Sequence, residues 1–208
     1  MSIIADIRVY RGVYTISTDD GQSLRIRAKD FKANPVKTGD SVDFEAYGDH
    51  LSALQFPQAY EAALSMLDCS AKTRRELSRS LHLKGYVPNC VEAVLDRLEE
   101  CRLLDDAAVA QRYAENASNG TVGIYALRQK LRAKGISEED MSEALDSLDD
   151  DQQIAAAKKV AQKLYRKYED LPPREGRGKL SQALARRGFS WDTVRAATED
   201  LFCDDFDD

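Results

Sequence analysis

Apolar residues follow two different rhythms along this 208-residue chain. Up to about residue 54 they alternate with polar residues in short runs. Beyond that point they recur every three or four residues, the period of a helix with one buried face. The helical part contains one phrase written three times: Leu77-x3-Leu81-x2-Lys84-Gly85-Tyr86, Leu127-x3-Leu131-x2-Lys134-Gly135-Ile136 and Leu180-x3-Leu184-x2-Arg187-Gly188-Phe189. The glycines lie 50 and then 53 residues apart, a spacing typical of stacked supersecondary units.

Each copy reads as the end of one helix and the start of another. The paired leucines share a helix face, and the basic residue complements the negative end of the helix dipole. The glycine ends the helix in the left-handed conformation, and the apolar residue after it folds back onto the helix just finished. Six, nine and thirteen residues past the glycines stand Val91, Val94 and Leu98, then Met141, Ala144 and Leu148, then Val194, Ala197 and Leu201. This spacing predicts a second amphipathic helix in each copy, with Ser137 and Ser190 as N-caps of the later two. In the first two copies a third helix follows: Ala107 to about Ala117 after Asp105-Asp106, and Ile154 to Tyr168 after Asp149-Asp150-Asp151. The unit is therefore a three-helix module of about 50 residues, and the third copy ends after two helices and an acidic tail.

The first 54 residues predict three or four short antiparallel strands in a small sheet or partly open barrel. Ile7 to Ser17 reads as one β-rich run, Asp19-Asp20-Gly21 as a tight turn, and Ser23 to Ala28 as its partner. Thr38-Gly39-Asp40 reads as a turn into a strand carrying Val42, Phe44 and Ala46. Tyr10, Tyr14, Phe31, Phe44 and Tyr47 are expected in its core. Pro57 suits the first turn of a helix, and Ser70 suits the N-cap of the first repeat helix.

The net charge of −6 argues against a nucleic-acid partner, but the distribution changes that picture. Ser70 to Lys84 carries five basic residues against one acidic, and Tyr125 to Gly135 carries four against none. Gln152 to Arg187 carries ten against three. Glu138 to Asp151 has eight acidic residues and no basic one. First helices are basic and second helices acidic. The alternation either builds a basic stripe along one edge of the array or neutralises itself between neighbouring helices.

The chain shows no constellation for catalysis. A Walker loop, a Gly-x-Ser-x-Gly elbow and a Gly-rich strand-to-helix turn are all missing. Asp105-Asp106 are neighbours at a helix start, which do not face one site, and His82 reads as a surface residue. Pro172 to Gly178 reads as a flexible basic linker. Cys69, Cys90, Cys101 and Cys203 show no C-x-x-C pairing, and with only His50 and His82 beside them a zinc site is not expected. No cofactor or metal is expected, nor a membrane span, and no secretory signal is visible. A cytoplasmic location follows as the expectation.

Four stretches in register resemble the RecX family of RecA recombinase regulators. They run from Ala59-Tyr60-Glu61-Ala62-Ala63-Leu64 through Arg74-Arg75-Glu76-Leu77 to Lys84-Gly85-Tyr86. They continue with Leu103-Leu104-Asp105-Asp106 through Tyr113, then Leu127-Arg128 to Lys134-Gly135-Ile136, and end at Arg186-Arg187-Gly188-Phe189. The resemblance covers about residues 57 to 202. It departs from the family where the glycine usual before Leu-Leu-Asp-Asp is Arg102 and where the usual aromatic is Val109. The resemblance implies tandem three-helix repeats that bind the RecA filament on DNA and limit strand exchange, ATP hydrolysis and the repair (SOS) response in homologous recombination.

The sequence thus predicts a mainly α protein of tandem three-helix repeats, a right-handed or crescent-like array, with a small β-rich N-terminal domain. Expected boundaries are 1–54 for the β-rich domain, 55–119 for the first repeat with its preceding helix, 120–170 for the second, and 171–208 for the truncated third with its tail. The expected role is a non-enzymatic, monomeric regulator of the RecA filament that inhibits it. A helical module whose main ligand is DNA itself is the competing class, and DNA contact through the basic helices is expected in either case. Candidate partner- or DNA-binding residues are Arg74, Arg75, Arg79, Lys84, Arg128, Lys130, Arg132, Lys134, Lys158, Arg186 and Arg187.

Overall fold

The structure, a computed structural model, describes residues 1–118, 120–146 and 148–202. Cys203 and the acidic tail lie outside the described residues. The chain divides into two compact units, Met1–Asp105 and Asp106–Asp208.

The first unit opens with strands β1 (Ser2–Tyr10), β2 (Val13–Thr18) and β3 (Ser23–Arg27), the short helix α1 (Ala28–Ala33) and strand β4 (Ser41–Val42). They form one antiparallel sheet in the order β3-β2-β1-β4. The run expected from Ile7 to Ser17 is two strands, because Arg11 and Gly12 both take positive φ (49° and 80°) and close a two-residue hairpin. Register sends Ile7, Ile16 and Leu24 to the face that packs inward, with Ile16 and Leu24 buried. Tyr10, expected in the core, lies on the opposite face and is 71% exposed. Tyr14 and Phe31 stack on each other with ring centroids 4.1 Å apart.

The strand expected across Val42, Phe44 and Ala46 ends at Val42. Asp43 accepts a bond from the Ala46 amide and caps α2 (Phe44–Cys69), a 26-residue helix. Pro57 stands inside α2, not in its first turn. A proline there removes a backbone bond and costs about 3 kcal/mol. Burial of Leu51, Gln55, Ala59 and Ala63, spaced four apart, outweighs that cost. Ser70 closes α2, and Thr73 supplies the N-cap expected of it. Its hydroxyl accepts from the Glu76 amide while Glu76 accepts from the Thr73 amide, a capping box opening α3 (Arg74–Leu83). Helix α4 (Pro88–Glu100) follows. Leu77, Leu81, Val91, Val94 and Leu98 join the sheet and α2 in one core, each worth about 1.5–3 kcal/mol when fully buried.

A buried polar hub ties sheet to helices in this unit. The Asp30 carboxylate accepts from Arg27 Nε (2.7 Å) and Gln55 Nε2 (2.8 Å), and Gln55 Oε1 accepts from the Val87 amide (2.8 Å). The Arg27 guanidinium also lies 4.2 Å from the centre of the Tyr86 ring.

The second unit holds α5 (Asp106–Ser118), α6 (Ile124–Lys134), α7 (Glu138–Asp146), α8 (Asp150–Tyr165), α9 (Pro173–Ala185) and α10 (Trp191–Thr198). Helices α5 to α7 share one core around Ala110, Leu127, Leu131 and Met141. Helices α8 to α10 share another around Ala157, Leu180, Leu184, Phe189 and Val194. The expected linker at 172–178 is the start of α9, with Pro173 in the first turn. Ser190 caps α10 by accepting from the Thr193 amide, and Ser137 accepts from the Asp140 amide ahead of Met141.

The thrice-written phrase is one hydrogen-bonded motif. Tyr86, Ile136 and Phe189 donate their amides back to Leu81, Leu131 and Leu184 at 3.4, 3.2 and 3.5 Å. The glycine amides bond the residue three earlier, and Gly85, Gly135 and Gly188 have φ of 84°, 84° and 86°. This is the Schellman helix stop, with its apolar residue folded back onto the last turn.

Candidate functional site

The basic residues that the sequence singles out sit on α3, α6, α8 and the turn after α9, and their surroundings differ sharply. On α3, Arg74 leans towards α4 and bonds Glu99 through Nη1 (2.7 Å) and Glu92 and Asp96 through Nη2 (2.7 and 2.8 Å). Glu92, Asp96 and Glu99 are spaced to share one face of α4. Burial acts to lower the pKa of this guanidinium, but the three carboxylates together win and raise it. Arg75 and Arg79 follow on the opposite side of α3, both exposed, as is Lys84 in the turn.

The four cations of α6 divide between two flanks. Arg132 Nε bonds Glu138 at 2.6 Å, and that bond, aided by the charge of nearby Arg128, holds the Glu138 carboxyl below its usual range. Lys130 and Lys134, on the other flank, place their ammonium groups 4.8 and 5.4 Å from the centre of the Tyr113 ring. On α8, Lys158 reaches Asp200 at 3.2 Å. Arg186 and Arg187 are exposed, and Arg187 Nη1 bonds the Ala183 carbonyl at 2.9 Å. Basic first helices and acidic second helices therefore meet at Arg74 and Arg132, each pairing with the helix that follows its own.

The turn after α9 is also a docking point inside the second unit. The Arg187 and Gly188 carbonyls accept from the Gly123 amide (2.9 Å) and the Tyr125 amide (3.0 Å), satisfying two donors at the start of α6. A Cβ on Gly188 would stand 2.3 Å from the Ala126 nitrogen, so glycine is required here for close approach as well as for φ. Two exposed aromatics flank this junction: Tyr125 at 60% and Trp191 at 66%. Tyr, Trp and Arg in company are the residue types that dominate binding hot spots.

Three groups of residues were missed by sequence reasoning. Lys159, Lys163 and Arg166 line a shallow groove on α8 with Gln162; their spacing of four and three with no acidic residue between was the available signal. Arg8 and Arg25 flank Thr15 across the open face of the sheet, one row from Tyr10; only the hairpin register reveals that row. The Trp191–Tyr125 neighbourhood depends on a contact between modules and had no local signal.

A cavity of about 420 Å³ in the first unit is lined by Gln22, Ser23, Asp43, Glu45 and Asn89 with Phe44 and other residues, and no histidine or cysteine reaches it. Among the described residues no cluster of histidine, cysteine and carboxylates could hold a metal ion, and no helix is long and apolar enough to cross a membrane.

Comparison with known proteins agrees with this architecture. Family models described as the first, second and third three-helix domains of RecX match residues 59–98, 105–145 and 150–198. These spans follow the cores formed by α2–α4, α5–α7 and α8–α10. The regulatory protein RecX of Limosilactobacillus reuteri is 30% identical over 86% of this chain and 69% of its own length. That of Streptococcus pyogenes serotype M4 is 28% identical over 95% and 76%. A crystal structure of regulatory protein RecX superposes with a TM-score of 0.68 at 28% identity, over 96% of this chain and all of that one. RecX from Lactobacillus salivarius gives 0.67 at 25% identity, over 72% and 97%. Three consecutive modules in order, on a chain that shares their fold almost end to end, carry one conclusion: this chain belongs to the RecX family of regulatory proteins.

Proposed function

We propose that the protein binds the RecA recombinase filament and inhibits its strand exchange, ATP hydrolysis and repair-response activities without catalysing a reaction itself. It acts as a monomer in the cytoplasm. The observation that carries this reading is the tandem array itself, three modules matched in sequence order to the domains of RecX. A filament of repeating subunits offers equivalent sites at fixed intervals. Successive modules of one chain can then combine modest contacts through effective concentration. Arg79, Arg128, Arg186 and Arg187 are the cations best placed to meet a partner, being exposed or half-buried and not gripped by carboxylates as Arg74 is.

The test is recombinase ATPase and filament disassembly on single-stranded DNA, with this protein at substoichiometric amounts. Slowed hydrolysis and faster disassembly are expected. No effect on either, even at equimolar protein, refutes the proposal. A charge reversal at Arg128 that leaves inhibition intact removes that residue from the surface.

A further inference from the structure

We infer that the solvent face of α8 is a docking rail for the phosphate backbone of single-stranded nucleic acid. From Gln152 to Tyr168 this stretch has no acidic residue. Buried Gln153, Ala156, Ala157, Val160 and Ala161 fix one side of the helix against α9 and α10. Lys159, Gln162, Lys163 and Arg166 then fall within one narrow arc of the opposite side. There they line a shallow groove of about 440 Å³.

These three cations differ from the basic residues that face acidic helices. None makes an ion pair or side-chain hydrogen bond to a described residue. Lys158, their neighbour, turns the other way and is held by Asp200. The helix dipole favours Lys163 and Arg166 near the C-terminus, but it does not reach Lys159 or account for the groove.

The chemistry of the stripe selects the occupant. It carries charge and hydrogen-bond donors, with no aromatic or large apolar side chain to seat in a pocket of a protein partner. A phosphate backbone asks only for charge and donors. At 1.5 Å rise per residue the cations lie about 6 and 10.5 Å along the axis from Lys159. A stacked strand rises about 3.4 Å per nucleotide, so the rail spans about three phosphates. A flexible single strand can bring its phosphates onto a straight row of cations, whereas those of a duplex are fixed on a helix of their own.

The test uses the full chain with no recombinase present, so its outcome is separate from the filament reading. Binding of a fluorescent 20-residue oligothymidylate is followed by anisotropy across a salt series. Replacing Lys159, Lys163 and Arg166 together by alanine should weaken binding at least tenfold. It should also flatten the dependence of log affinity on log salt by about 2, the release expected from three phosphate contacts on a single strand. Circular dichroism identical to that of the unsubstituted chain confirms that the variant is folded, and Lys163→Gln alone should produce about a third of that flattening. An unchanged slope in the folded triple variant overturns the inference. Equal affinity for a hairpin duplex overturns the single-strand assignment, and equally tight binding of polyglutamate overturns the phosphate assignment.

Discussion

Replacing Asp30 by alanine probes the link between sheet and helices in the first unit. Its carboxylate is the only anion bonded to Arg27 among the described residues, and the two side chains are 13% and 14% exposed. One guanidinium nitrogen of Arg27 is already buried without a hydrogen-bond partner. Removing one member of a buried pair costs about 3–5 kcal/mol, because the other charge stays desolvated. Arg27 keeps its place over the Tyr86 ring, worth about 1 kcal/mol. Gln55 loses an acceptor but keeps the Val87 bond. The expected loss is therefore about 3–4 kcal/mol.

Native-state hydrogen exchange, read peptide by peptide, is the assay. Peptides from α3 and α4 should lose that amount of protection, while peptides from α9 and α10 keep theirs. The double variant Arg27→Met/Asp30→Leu should recover at least half of the loss, since apolar residues leave no orphaned charge. A loss below about 1 kcal/mol, far under the cost of an orphaned buried charge, would refute the reasoning. So would a double variant no better than Asp30→Ala.

Two glycines of α9 should respond with opposite signs. Gly178→Ala, with open space around it, should raise the urea midpoint by the equivalent of about 0.5–1 kcal/mol, whereas Gly176→Ala, whose Cβ would stand 2.6 Å from the Phe202 ring, should lower it. Burial pushes the Cys90 thiol up to about 11, while Cys69 and Cys101 are exposed. In a Cys203→Ala background a thiol reagent at neutral pH should therefore label Cys69 and Cys101 fast and Cys90 only on unfolding. The folded state keeps the Cys90 proton to higher pH than the unfolded state does, so stability is fully present below about pH 9 and falls towards pH 11. In Cys90→Ala the decline should begin about one pH unit later, read as the urea midpoint against pH, because burial also raises the phenols of Tyr47 and Tyr86 and their share is lost only above about pH 10.

The repeat was legible because its physics is local. Two leucines four apart and a glycine at the stop need no tertiary information, and Ser190 reads as a cap for the same reason. The hairpin at Arg11-Gly12 was illegible because an arginine occupies a left-handed position. The start of α2 was hidden, since Phe44 and Ala46 suit a strand as well as a first helical turn and Pro57, inside the helix, reads as a start. The period gave the length of a module but not its phase, and only the cores show that α5 packs with α6 and α7. The charge alternation was visible, but not which cations it neutralises. Arg74 and Arg79 are five residues apart on one helix, yet Arg74 is gripped by three carboxylates and Arg79 faces solvent.

The Schellman stop also occurs a fourth time, in disguise. At the end of α4 the Leu103 amide bonds the Leu98 carbonyl at 2.9 Å and the Arg102 amide bonds Glu99 at 2.8 Å, the same two bonds as at Gly85, Gly135 and Gly188. Arg102 holds the glycine position with φ 55°, where a side chain costs about 1–2 kcal/mol. It is exposed, so nothing in the core requires its bulk. Arg102→Gly relieves the strain but frees the unfolded chain, leaving a net gain of about 0.5–1 kcal/mol. Asn tolerates this region better than Arg, and a β-branched residue tolerates it worst. Urea midpoints should therefore rank Gly above Asn, Asn above Arg and Arg above Val at position 102. A valine variant as stable as the arginine one would mean that the motif imposes no left-handed geometry there. The four helix stops would then differ in kind and not only in one side chain.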